Sequence, residues 1–388
     1  MKVMFHVAAD FGGTGLGYVS YQAVRGLRDA GMLAGVMCLG HRKTEIEERY
    51  IRDIAGLSRL WRRLPRRIAN RIGLDALLQE NFASLAARRL RPCDLVHGYT
   101  GTMLQTIAAA RGLGAATVVD RPNTHIRFMR RLLEAEYAKY DVPFPACRED
   151  QACREARELE ECDAILTCSE FARRTMVAEG LSESNIFVVP YGVDTEAFRP
   201  EPKRDRVFRV VFAGLICLRK GVQYLLEAWH KLRLRNAELV LQGHVLDDAA
   251  DVIRYFGQRC PFSIRPHTED ARELRDLYNS ASVCVFPSVE DGFGMVVTEA
   301  MACNRPVVIT ETMGASDLVV SGIDGFVIPP CNADAIKEVL AHLHAHPDSD
   351  VGSSGCERVR RLTWDRYRAG LLSAYRAIVG GPRAYARV

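Results

Sequence analysis

The chain has 388 residues, with 52 Lys and Arg against 48 Asp and Glu, a formal net charge of +4. Hydrophobic residues make up 48% and charged residues 26%, which excludes wholesale disorder, a collagen repeat and a coiled coil. So small a net charge gives no argument for nucleic acid as a partner, and at roughly 100–200 residues per domain the length suggests two domains.

The amino-terminal residues 3–8 read as a first buried strand, not as a secretory leader, because the apolar run is short and ends at Asp10 and a glycine cluster. No stretch approaches the roughly 20 apolar residues of a spanning helix. The 12 cysteines are scattered, with no Cys-x-x-Cys pair. The densest group, Cys147, Cys153, Cys162 and Cys168, is too widely spaced for a zinc set. These features together predict a cytoplasmic protein without a structural metal.

Further strands are predicted at 33–39, 94–97, 116–120, 164–168 and 186–189. Helices are predicted at 17–30, 102–111, 126–137 and 171–178, with Ser169 at a cap position and Gly31 and Gly180 at stops. Between Ser58 and Leu74, Arg59, Arg62, Arg63, Arg66, Arg67 and Arg71 alternate with Leu60, Trp61, Leu64 and Ile68, and no acid intervenes. This segment reads as a basic amphipathic surface for anionic lipid, with Trp61 at the headgroup level. It reads equally as a solvated helix face packed on the domain, and Pro65 interrupts any single helix.

The polar, proline-containing segment 199–206 reads as a linker. After it come strands at 207–212, 239–242, 282–286, 307–309 and 326–328. Helices at 221–234, 270–279, 295–303 and 333–344 alternate with them. The pattern is α/β: two doubly wound, Rossmann-like parallel-sheet domains, 1–198 and 207–363, facing a central cleft. Ligands are expected outside the carboxyl ends of the strands.

Gly12, Gly13, Gly15 and Gly17 follow the first strand. A dinucleotide fingerprint fails, because the third glycine position holds Tyr18 or Ser20 and no acid ends the second strand. The cluster reads as a loop over a sugar or phosphate, or as a tight strand-to-helix turn. In 286–306 a strand runs into a turn at Gly292 and Gly294, and a helix begins at Met295. Free amides from Phe293 to Val296 and the helix dipole suit a diphosphate. Asp291 and Glu299 flank it, and carboxylates accept paired hydroxyls of ribose or sugar.

This run resembles the signature of family 4 glycosyltransferases, retaining enzymes of the GT-B fold whose motif is Glu, seven residues, Glu. Asp291 stands at the first position, Glu299 matches the second, and Glu290 is out of register. Residues 189–198 are similar to a second family segment through Gly192, Val193, Asp194 and Phe198. Residues 213–221 are similar to the donor-phosphate loop, with Gly214 and Lys220 in place, Leu215 where Arg is usual and Arg219 as a substitute charge. His125 resembles the histidine that faces the donor sugar, with His97 as competitor, and Arg121 is a further candidate for the cleft. Residues 314–330 also resemble a family segment, with Asp317 where Glu is common.

The resemblance implies a glycosyltransferase with catalytic His125, Asp291, Arg219 and Lys220. Gly214, Arg219, Lys220, Gly292, Phe293, Gly294, Met295, Val296 and Glu299 would hold the donor, with Gly13 closing from the first domain. The final helix, within 364–388, would cross back onto that domain. Implied partners are a UDP- or GDP-sugar and a glycan or lipid-linked acceptor, in surface polysaccharide or glycolipid assembly. The arginine segment would touch the inner face of the cytoplasmic membrane. The resemblance implies no metal or other cofactor. A GT-B nucleotide-sugar epimerase and a binding protein that has lost catalysis remain alternatives.

Overall fold

A computed structural model describes residues 1–54, 74–142, 144 and 149–381. The arginine segment 59–71, and with it the lipid surface expected there, lies outside the described residues.

The first sheet has seven parallel strands in the order β3-β2-β1-β4-β5-β6-β7. These are β1 (Val3–Phe11), β2 (Leu33–His41), β3 (Ile51–Asp53), β4 (Leu95–Tyr99), β5 (Ala116–Arg121), β6 (Ala164–Thr167) and β7 (Ile186–Val188). The second has six, in the order β10-β9-β8-β11-β12-β13. These are β8 (Phe208–Ala213), β9 (Ala237–Gln242), β10 (Ser263–Arg265), β11 (Val283–Phe286), β12 (Val307–Thr310) and β13 (Gly325–Ile328). Central strands such as β4, β5, β6 and β11 are buried at every residue. Helices cover both faces of a parallel sheet, so its strands are mostly apolar, with His97, Asp120 and Arg121 as buried exceptions.

In each sheet the order reverses beside the first strand, between β1 and β4 and between β8 and β11. Val3 pairs with Leu33 on one side and Leu95 on the other. Such switch points open a crevice at the carboxyl ends. Helices α1 (Leu16–Asp29) and α10 (Met295–Ala302) begin at those ends. The other helices that matter for the site are α3 (Leu104–Gly112), α4 (Ile126–Ala138), α5 (Glu149–Glu161), α6 (Glu170–Ala178) and α13 (Trp364–Gly380).

Two features tie the halves together. Ile126, Met129, Leu133 and Tyr137 of α4 join the hydrophobic core of the second sheet. Trp364, Tyr367, Leu371 and Tyr375 of α13 join the core of the first, with Phe5 and Tyr99. The chain passes between the halves at two adjacent points, where the Val193 amide donates to the Leu362 carbonyl at 2.7 Å. Gly192 is required there, since a Cβ would stand 2.5 Å from the Trp364 nitrogen. Among the described residues no helix is long and apolar enough to cross a membrane.

Candidate active site

The site is built from strand ends upward. Gly294 caps α10 in the left-handed region, φ +87°, with no side-chain cap. Gly15 caps α1 at φ +55°, also without one. Gly15, Leu16, Gly294, Met295 and Val296 line one cavity of about 270 Å³ between the halves, so two helix amino termini open onto it. Exposed amides and dipole ends at one spot make an anion site.

Lys220, Gly214, Asp291 and Phe293 line the same cavity. Lys220 sits on a short 3-10 turn, Leu218–Lys220. Gly221 follows at φ +71°, so near the Pro287 carbonyl that a Cβ would lie 1.8 Å from its oxygen. This close approach brings Lys220 Nζ to 2.5 Å from Asp291 Oδ2. Burial pushes the Asp291 carboxyl up, but Lys220 and Arg219 outweigh it and hold the group below the usual carboxylate range. The Phe293 ring packs edge-on against Tyr191 at 5.3 Å, and its amide donates to Asp291 Oδ1 at 3.4 Å.

A second cavity of about 330 Å³ adjoins the first, sharing Gly15 and Met295. Gly13, Asp194, His267, Trp364 and Glu299 line it. Tyr278 donates to Glu299 Oε2 at 3.0 Å. Burial raises the Glu299 pKa to about 7, against the opposing effect of that hydrogen bond. At the rim, Arg42 of the first half meets Glu269 of the second through two hydrogen bonds, 2.5 and 3.0 Å.

Several residues expected at the site lie outside the two cavities. Arg219 does not line the first cavity. Its Nε donates to Glu290 Oε2 at 2.9 Å and its Nη2 to Asn123 Oδ1 at 3.0 Å, so it faces the other half of the molecule. His125 lines neither cavity. It is almost fully buried and caps α4, its Nδ1 accepting from the Arg127 amide at 3.3 Å. Its own amide donates to Thr175 Oγ1 at 2.9 Å. Burial first, then Arg121, push its pKa down to about 4, so the ring is neutral near pH 7. His97 is fully buried, with Nδ1 2.5 Å from the Tyr375 hydroxyl.

His125→Asn keeps a capping acceptor. Transfer by that variant should stay within about threefold of the parent, with the cost showing as a lower melting temperature. A hundredfold loss of turnover at unchanged stability would return His125 to the site.

Arg121 is likewise turned inward, donating to the Thr124 carbonyl at 2.8 Å and pairing with Glu155. Asp317 accepts from the Phe171 amide at 2.8 Å and from Arg174 at 3.0 Å, which makes it a contact between the halves. Sequence reasoning passed over Glu290, which is fully buried. The signal was available: a second acid beside Asp291 on an apolar strand end needs a cation, and two cations stand at 219 and 220.

The Glycosyltransferase Family 4 profile matches residues 13–197, and the profile for Glycosyl transferases group 1 matches residues 207–346. The chain is a GT4-like glycosyltransferase. Curated relatives of this glycosyltransferase include the D-inositol 3-phosphate glycosyltransferase of Nocardiopsis dassonvillei, 29% identical over 319 residues, which are 75% of this chain and 72% of the relative. The enzyme of that name from an Arthrobacter species is 28% identical over 74% of this chain and 71% of its own.

Among solved structures, the sucrose-phosphate synthase of Thermosynechococcus elongatus superposes with a TM-score of 0.71 at 20% identity, covering 98% of this chain and 100% of that one. HepE of Anabaena, in complex with UDP and glucose, gives 0.70 at 14% identity over 97% and 100%. These likenesses establish the GT-B fold of the glycosyltransferase.

Proposed function

We propose that this glycosyltransferase moves a sugar, with retention, from a UDP- or GDP-sugar to a hydroxyl of a glycan or lipid-linked acceptor, in surface polysaccharide or glycolipid assembly. One observation carries the donor reading. Two uncapped helix starts and Lys220 converge on a cavity that also holds Asp291, and this cavity adjoins a second one over Glu299. The nucleoside then occupies the second cavity with its ribose hydroxyls on Glu299. The diphosphate lies on the amides of Met295 and Val296, and the sugar faces Asp291, Gly292 and Phe293. The UDP held by HepE supports the choice of donor. Retention and the acceptor class follow the family resemblance. The inositol 3-phosphate in the relatives' names makes a polyol phosphate one acceptor to include in the assay.

When the sugar leaves, negative charge grows on the departing nucleoside diphosphate. Lys220 and the helix amides are already aimed at it, so little reorganisation is needed as the bond breaks. Asp291 stays ionised between Lys220 and the sugar, able to accept two hydroxyls. The closed halves shield the donor from water.

A thermal-shift panel of UDP-, GDP-, ADP- and TDP-sugars, followed by transfer assays, tests the reading. A UDP- or GDP-sugar should raise the melting temperature, and four null results would end the donor assignment. The pH dependence adds a second check. Ribose hydroxyls donate best to an ionised carboxylate, and the Glu299 pKa is about 7 in the free protein. Donor affinity should therefore rise with pH up to about 7 and level off above it. Below, it should fall by up to about tenfold per unit, since binding must then release a proton. Glu299→Gln should bind more weakly and flatten that dependence, measured by calorimetry between pH 5.5 and 8.

A further inference from the structure

We propose that Glu290, which the family signature passes over, is the positioning residue that makes assembly of the donor site depend on closure of the two halves. Its carboxylate is fully buried. Oε1 accepts from the Thr124 amide at 3.1 Å and the Thr124 hydroxyl at 2.6 Å, both from the first half. Oε2 accepts from Arg219 Nε, on the donor-phosphate loop of the second half. Arg219 returns to the first half through Asn123. One carboxylate thus joins a loop of each half, and its neighbours in sequence and space are the reacting groups. Arg219 precedes Lys220, and Glu290 precedes Asp291.

The loop it grips is rigid. The Thr124 carbonyl accepts from Arg121, whose guanidinium is locked onto buried Glu155. A second grip lies two residues on. The Gly292 carbonyl accepts from Ser169 Oγ at 2.7 Å, also from the first half. Asp291 thus lies between two contacts that exist only when the halves are together, while its own backbone is tied within the second half, its amide to the Thr312 carbonyl at 3.1 Å and its carbonyl to the Gly314 amide at 2.9 Å. Leaving a buried charge without its partners is costly. Opening strips Thr124 from Glu290 and Asn123 from Arg219, leaving the Glu290 carboxylate and the Arg219 guanidinium held only by each other. Closure thus fixes the two residues that precede Lys220 and Asp291, so a nucleotide held on an open second half meets a less ordered sugar site.

The kinetic part of this inference rests on the donor reading above; the conformational part does not. Thr124→Val and Glu290→Gln, singly and together in the full chain, test it with three measurements: radius of gyration in solution without ligand, UDP affinity by calorimetry, and kcat and KM with UDP-glucose or the donor chosen by the panel. Each single variant should enlarge the radius of gyration. Each should lower kcat about tenfold to a hundredfold, the scale of a misplaced reacting group, while UDP affinity changes less than about twofold. The double variant should be no worse than the more affected single one, because both break the same link. A parental radius and kcat in Thr124→Val and Glu290→Gln would overturn the proposal. So would UDP affinity falling in step with kcat at an unchanged radius, which would make Glu290 only a support for Arg219. If the parent binds no UDP and turns over no donor, the donor reading fails, and the radius of gyration alone still decides whether Glu290 holds the halves together.

Discussion

Lys220→Ala should lower sugar transfer by about two to three orders of magnitude, the cost of losing one preorganised charge at a leaving group. The variant should also melt at a lower temperature, since Asp291 is left nearly buried without its cation, and stripping one partner from such a pair costs more than the pair contributes. The two effects are separable. Adding Asp291→Asn removes the stranded charge, so the double variant should recover much of the melting temperature and none of the turnover. Steady-state kinetics and calorimetric melting of the three proteins measure this. Parental kcat in Lys220→Ala would remove the lysine from the chemistry, and recovered turnover in the double variant would show that its role was only to neutralise Asp291.

Gly292→Ala should be as damaging for a steric reason. A Cβ there would lie 1.9 Å from the Pro122 carbonyl oxygen and 2.5 Å from the Asn123 Cα. Both are backbone atoms of the opposite half, so no side-chain rotation makes room, and the halves must part. Transfer should fall by about a hundredfold or more. The fraction of donor lost to hydrolysis should rise, because an open cleft admits water. On the proposed donor placement UDP affinity should change little, since the second cavity is lined at Glu299 and not at Gly292. The measurement is the ratio of hydrolysed to transferred sugar together with UDP calorimetry. An unchanged ratio would mean that the approach at Gly292 does not control closure.

These sites were unevenly legible in the sequence. Strands such as β4, β5, β11 and β12 announce themselves because both faces are covered, leaving runs of Val, Ile and Leu. The three-residue strands β3 and β10 carry no such signal. Each lies at a sheet edge with one neighbour, and all three residues of β10 are exposed. Helix α5 was missed for a different reason: its inner face carries acids. Glu158 accepts from the amides of Gly101, Met103 and Leu104 at the start of α3, at 2.5, 2.7 and 3.0 Å. Glu155 pairs with Arg121. A pattern search that counts Glu as solvent-facing reads such a helix as loop.

In the site, the turn at Gly294 and the helix from Met295 were readable from glycine placement alone, and Lys220 and Asp291 from the resemblance. The direction of a side chain was not. Four residues separate Arg121 from the start of α4, and the path of that loop sends the His125 ring into a cap and the Arg219 partner Asn123 toward the other half. Spacing along the chain does not encode that choice.

The return of α13 to the first sheet orders events during synthesis. The aromatic layer over Phe5 and Tyr99 is closed by Trp364, Tyr367 and Tyr375, residues that leave the ribosome about 360 positions later than the strand they cover. The half that is translated first is thus the last to have its apolar surface sealed. Until then that surface is exposed and prone to find another partner.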